Sequence, residues 1–216
     1  MELLNPTAVT ELVSSNPGWV GLILFVVVFA EGIVGVGYLI PAATVLFSTG
    51  ALISTGVVSP AAAVVGSSLG ATAGGSVSFW LGGRFSARIH HVWPFRSHPA
   101  LLARNRDFVS RHGGKSVVLG RFTKALRPTV PAAAGMLGMT RRHFALCNAC
   151  GALAWACVYI GVGVALGATL ELTPIQAIQV SALLLALTAL FAIALGLRAR
   201  RRRGTGNGSA YDQADG

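Results

Sequence analysis

The sequence predicts an all-α integral membrane protein: transmembrane helices plus two re-entrant helical hairpins entering from opposite faces. Three observations predict it. Hydrophobic residues make up 53% of the chain and charged residues only 11%, against about 25% charged in an ordinary soluble domain. The charge is lopsided, with 17 Lys+Arg against 7 Asp+Glu and a formal net charge of +10, as basic loops flanking membrane spans would give. Two apolar stretches are also broken by charge and proline where a plain span would be uniform. A nucleic-acid binder can be this basic but not this apolar. The basic residues stand at span ends without interleaved aromatic platforms, so no nucleic-acid partner is expected. At 216 residues there is room for one domain. It divides into an N-terminal segment 1–17, a membrane domain 18–197, and a basic stop-transfer cluster with a polar, Gly-rich tail, expected to be disordered, over 198–216.

The elements follow in order. The N-terminal segment has no Lys or Arg, so it lacks the basic region of a secretory signal, and the first apolar stretch is expected to be retained. Residues 18–52 are apolar but interrupted by Glu31 and Pro41. They are too long for one span of ~20 residues and too broken for two clean ones. Either a span followed by a half-membrane hairpin or a hairpin of two partial helices fits, with Pro41 as a break. Non-helical backbone at this depth is tolerated only inside protein or beside a wet cavity. Residues 60–83 predict a full span. Its Gly66, Gly70 and Gly74 repeat on one face, which lets a neighbouring helix approach closely.

Residues 84–112 form a basic connector, with a helix over 99–111 predicted to lie along the headgroups. His90, His91, His98 and His112 are scattered through it without tetrahedral ligand spacing or a Cys partner, so no metal is expected. Nor is any other cofactor. Gly113-Gly114 breaks that helix, and residues 115–126 predict a helical arm of about 18 Å at 1.5 Å per residue. Residues 144–169, with Asn148 as a buried polar group, and 175–197 predict two further spans. Five arginines over 198–203 stop the last. Cys147, Cys150 and Cys157 are expected to pack as small residues between helices.

The second broken stretch is residues 121–135, RFTKALRPTVPAAAG. Arg121, Lys124 and Arg127 are three apart, so on a helix they would share one side. Pro128 and Pro131 then deny the backbone a continuous helix, and the chain returns through Gly135. Each such cation at the bilayer centre costs roughly 2.5–3.5 kcal/mol unless it faces a cavity, a partner or a substrate. The positive-inside rule puts the connector, the 141–143 cluster and the C-terminus in the cytoplasm. The Glu31 segment would then dip in from the outer side, in the manner of transporters with inverted repeats.

These motifs resemble the DedA family of bacterial membrane proteins, related to the VTT-domain lipid scramblases. The resemblance covers residues 20–165. It rests on Arg121-Phe122, Arg127, Pro131, Ala134-Gly135 and Met139, with Phe144, Asn148, Gly151 and Trp155 downstream. Phe108, Gly113, Glu31, Pro41, Gly50, Gly82 and Arg84 also fit. The chain departs from the family pattern at Lys124, where a proline is usual, and at Ala43 and Gly75, where acids are usual.

The resemblance implies a multi-pass protein of the bacterial cell membrane. It implies a transporter or flippase that moves a lipid phosphate such as undecaprenyl phosphate, with possible proton coupling and possible homo-oligomerisation. On this expectation Arg121 and Arg127 clamp the phosphate, since guanidinium geometry matches phosphate oxygens, and Lys124 adds a point charge. Glu31 pairs with an arginine when the site is empty, and its protonation would serve the same switch. The plainer alternative makes Glu31 a structural counter-ion. A proton-driven small-solute transporter is the second functional reading. A lipid-phosphate phosphatase is a weaker one, since Arg127-Pro128 stands without the P-S-G-H segment and later Arg–His pair of such enzymes. No enzyme is therefore expected.

Overall fold

A computed structural model describes residues 17–34, 37, 40–85, 99–124 and 126–204. Expectations for segment 1–16, for His90, His91 and His98, and for the tail 205–216 lie outside the described residues. Among the described residues the fold is all helical: α1 (Pro17–Gly32), α2 (Ala42–Ser54), α3 (Pro60–Arg84), α4 (Pro99–His112), α5 (Gly114–Gly120), α6 (Thr129–Met136), α7 (Arg141–Thr169) and α8 (Pro174–Gly204).

The helix starts have local causes. Ser59 caps α3 by accepting from the Ala62 N–H at 3.5 Å, with Pro60 in the first turn, where its missing N–H is not needed. At the head of α8, Thr173 Oγ1 accepts from the Gln176 N–H while Gln176 Oε1 accepts from the Thr173 N–H, a reciprocal capping box. Gly113 sits at φ +53°, a left-handed conformation that turns α4 into α5.

Two long helices, α3 and α7, form the frame, and each broken segment straddles both. In the first, α1 lies along α3 while α2 lies along α7; in the second, α5 lies on α7 while α6 lies on α3. Glycines permit each of the main crossings. A Cβ at Gly66, Gly70 or Gly74 would run into the α1 backbone at Gly21, Phe25 and Phe29. Gly50 and Gly163 meet at the α2–α7 crossing, and Gly135 abuts the Phe79 carbonyl at the α6–α3 crossing. The expected glycine face of 60–83 is therefore the seat of α1. The core lies between these layers, with Leu24, Val28, Leu46, Trp155 and Ile160 in one cluster and Val117, Val130, Ala134 and Phe144 in another.

The outside is apolar. Leu22, Ile23, Val26, Leu69, Leu146, Leu153, Leu183 and Leu187 are exposed, while Glu31, Arg121, Arg127 and Asn148 are buried. A soluble protein reverses this distribution. Among the described residues one helix, Arg141–Thr169, is both long and apolar enough to cross a membrane. Only 33% of its most apolar window is buried inside the protein, so it is not the enclosed core helix of a soluble fold.

Several sequence expectations need correction. The arm predicted over 115–126 ends at Gly120, because the described residues 121–124 and 126–128 are held by turns rather than by a helix. Pro131 is not a break: it stands in the first turn of α6, where no intrahelical donor is required. Gly135 lies inside α6 and serves the close approach to α3. Pro41 and Pro128 do stand at helix starts, as N-caps of α2 and α6. The last helix runs past the predicted span 175–197, through the arginines, to Gly204. Cys150 and Cys157 face outward rather than between helices.

Candidate functional site

The two broken segments meet at their tips. After α1 the chain is held by Ser78 of α3, whose hydroxyl accepts from the Val34 N–H at 2.8 Å and donates to the Gly32 carbonyl at 2.7 Å. Gly37 follows, and a Cβ there would collide with the Glu31 carbonyl and come within 3.2 Å of Pro128 Cβ. The first break is thus pressed against the second, and Glu31 arrives beside Arg127.

Arg127 and Glu31 form a buried ion pair, with Nη1 to Oε1 at 2.6 Å. The guanidinium also donates through Nε to the Arg121 carbonyl at 2.9 Å, closing the turns between the two arginines. Its face lies 4.4 Å from the centre of the Trp155 ring, a cation–π contact that strengthens in a desolvated setting. The Ala42 N–H at the head of α2 also reaches the Glu31 carboxylate, where the positive end of a helix favours negative charge.

Arg121 is buried equally deeply but held differently. Its Nη2 donates to the Ala71 carbonyl at 3.0 Å and to Asn148 Oδ1. Asn148 in turn donates through Nδ2 to the Thr72 carbonyl at 2.9 Å and to Ser76 Oγ at 3.3 Å. Among the described residues the buried Arg121 Nε has no hydrogen-bond partner. Among the described residues the ion pairs are Arg127–Glu31 and the exposed Arg111–Asp107, so Arg121 has no carboxylate. Gly75 explains the fit: a Cβ there would stand 2.6 Å from Asn148 Oδ1 and 3.1 Å from Arg121 Nη2.

The structure buries Arg121, Arg127 and Glu31 together, while Lys124 is exposed and its charge reaches Glu31 from the edge of that cluster. Sequence reasoning named Asn148 and Trp155 without giving them a place in the site. The available signal was their spacing of seven on one helix, which puts both on the same face two turns apart.

What this arrangement can do chemically is bind an anion. It holds two guanidinium groups and one carboxylate in a dry interior, and the carboxylate can be exchanged for a ligand oxygen. With Arg121 4% and Arg127 6% exposed, this conformation is closed over both.

The VTT domain family matches residues 40–165. The chain is 33% identical over 147 residues to the inner membrane protein YabI of Escherichia coli K12, covering 68% of this chain and 58% of that protein. It is 34% identical over 158 residues to Protein DedA of the same strain, covering 71% of each. To the inner membrane protein YqjA it is 29% identical over 161 residues, 72% of each chain. The chain thus spans less than two thirds of the length of YabI. No solved structure matches it.

Proposed function

The chain belongs to the VTT-domain (DedA) family, and on that premise we propose that it is a bacterial cell-membrane transporter moving a lipid phosphate, of the undecaprenyl phosphate kind, across the bilayer. The observation that carries this reading is the buried charge imbalance at the meeting tips. Two arginines face a single carboxylate, and a phosphate would supply the missing negative charge.

In this reading the broken segments are re-entrant hairpins and the arginine-rich C-terminal end is cytoplasmic. The closed state is the empty one, with Glu31 standing where a phosphate oxygen will bind. An arriving phosphate takes bidentate hydrogen bonds from the arginines, and Glu31 is released, by displacement or by protonation. Trp155 keeps its place under Arg127 and holds the guanidinium plane fixed. No bond in the ligand is broken, so the protein acts without enzymatic chemistry and without a cofactor.

A lipid is favoured over a small solute by an apolar cavity of about 440 Å³ beside the tips. Phe47, Phe122, Val158, Tyr159 and Leu184 line it. Phe122 follows Arg121 in the chain, and Tyr159 packs on Trp155 with ring centres 5.4 Å apart. An isoprenoid or acyl tail fits that lining while the headgroup crosses inside.

The test is flux of a labelled polyprenyl phosphate in reconstituted vesicles, with and without a proton gradient. Wild type is expected to move the intact lipid. Glu31→Gln is expected to flatten any pH dependence of that flux; a profile identical to wild type would show that Glu31 is not the proton site. A dephosphorylated product would overturn the transport reading in favour of a phosphatase.

A further inference from the structure

A second feature lies outside the arginine pair. A groove of about 590 Å³ opens between the end of α3, α6 and the start of α7. Its walls are apolar and aromatic, formed by Phe79, Trp80, Met139 and Phe144, and its two charged residues are Arg84 and Arg141. Among the described residues no carboxylate lines it. Phe79 and Phe144 stack with ring centres 4.1 Å apart and form one wall. Arg84 ends α3 and Arg141 begins α7, so both cations stand at the mouth. The Thr140 side chain does not cap α7, which leaves the first-turn N–H groups of that helix available to the same anion.

The inner end of the groove reaches the site. Ser76 lines it, eight residues before Arg84 on the same helix and so about 12 Å deeper. Ser76 Oγ accepts from Asn148, and Asn148 Oδ1 accepts from Arg121. A short polar chain thus leads from Ser76, an exposed residue of the groove, through Asn148 to the buried guanidinium, while Phe79, Trp80 and Phe144 wall the stretch between Ser76 and the arginines.

We propose that this groove is the docking and entry site for an anionic lipid from the leaflet facing the basic helix ends. Arg84 and Arg141 hold its phosphate-bearing headgroup, and the Phe79–Trp80–Phe144 wall holds the first carbons of its chain. The headgroup then follows Ser76 and Asn148 to Arg121. The entry role rests on the transport reading above; the binding role does not.

The experiment is titration of the purified full chain, in neutral detergent, with dioleoyl phosphatidic acid, read by native mass spectrometry. Wild type is expected to bind it in preference to phosphatidylcholine. Loss of both charge-assisted contacts in Arg84→Gln/Arg141→Gln is expected to weaken binding by about tenfold. Gly83→Leu is expected to do the same with both arginines intact. A Cβ at Gly83 meets the Gly135 carbonyl at an ordinary 3.4 Å, so the first carbon of the added side chain is tolerated, and an unfolding temperature near wild type is the check that the longer side chain leaves the fold intact. Arg106→Gln/Arg142→Gln removes equal charge outside the groove and is expected to bind as wild type.

Wild-type affinity in the Arg84/Arg141 variant overturns the proposal. So does wild-type affinity in Gly83→Leu, which would mean a diffuse basic surface. Equal competition by inorganic phosphate also overturns it, in favour of a free-ion site. Failure here leaves flux through Arg127 intact. Conversely, if wild type moves no lipid phosphate while the groove variants lose lipid binding, the transport reading falls and the docking site stands; unchanged flux in Arg127→Ala removes only the arginine clamp.

Discussion

Arg121 and Arg127 are six residues apart, equally buried, and differently compensated. Arg127 has a carboxylate at 2.6 Å, an aromatic face beneath it and a backbone carbonyl at Nε. Arg121 has an amide and a carbonyl at Nη2, and its Nε has no partner among the described residues. A buried guanidinium with a carboxylate is satisfied by the protein itself. One held by neutral acceptors alone keeps its charge, and the surroundings do not neutralise it. Under the proposed function the difference separates two duties, with Arg127 as the switchable half of the site and Arg121 as the standing anion receptor.

The largest expected effect breaks the first half of that contrast. Arg127→Ala strands Glu31 in the interior, and removing one partner of a buried pair destabilises by about 3–5 kcal/mol. Thermal unfolding in detergent should fall steeply, and flux should be lost. The double variant Glu31→Gln/Arg127→Gln leaves no charge stranded, so it should recover most of the stability and none of the flux. Stability recovered together with flux would reduce the pair to a structural counter-ion.

Asn148→Leu probes the other half. It leaves Arg121, the Thr72 carbonyl and Ser76 each short of a partner, a loss of about 1–3 kcal/mol by the desolvation of unpaired polar groups. The Arg127–Glu31 pair should survive it. Unchanged stability would mean that Arg121 does not depend on this amide. The smallest effect belongs to Lys124→Ala. Lys124 is exposed, so stability should change by less than about 0.5 kcal/mol and flux should stay near wild type. A flux loss as large as that of Arg127→Ala would return Lys124 to the site.

How legible this was in the sequence differs between the two arginines' surroundings. The helices were readable from apolar runs and their punctuation, since Pro60, Gly113-Gly114 and Pro174 mark boundaries that the fold keeps. The role of Gly66, Gly70 and Gly74 as a packing face was readable from a spacing of four. The pairing of Glu31 with an arginine is an expectation that the family resemblance carries, and the buried pair meets it. Three things were not readable. Alignment of Lys124 with the arginines assumed helical periodicity, but that segment closes by turns instead. Pro131 and Gly135 read as breaks by residue type alone, whereas a first-turn proline and a glycine under a neighbouring backbone are both compatible with a helix. The hole at Gly75 that admits Arg121 and Asn148 is a property of three chain segments at once. No local pattern carries it.

The contrast comes down to Arg121, whose removal strands no carboxylate. The most direct measurement is polyprenyl phosphate flux by Arg121→Gln in vesicles, taken beside its unfolding temperature. The expected result is loss of flux with the unfolding temperature lowered less than in Arg127→Ala, since no buried charge is left without its partner. Wild-type flux from a folded Arg121→Gln protein would contradict the assignment of Arg121 as the anion receptor.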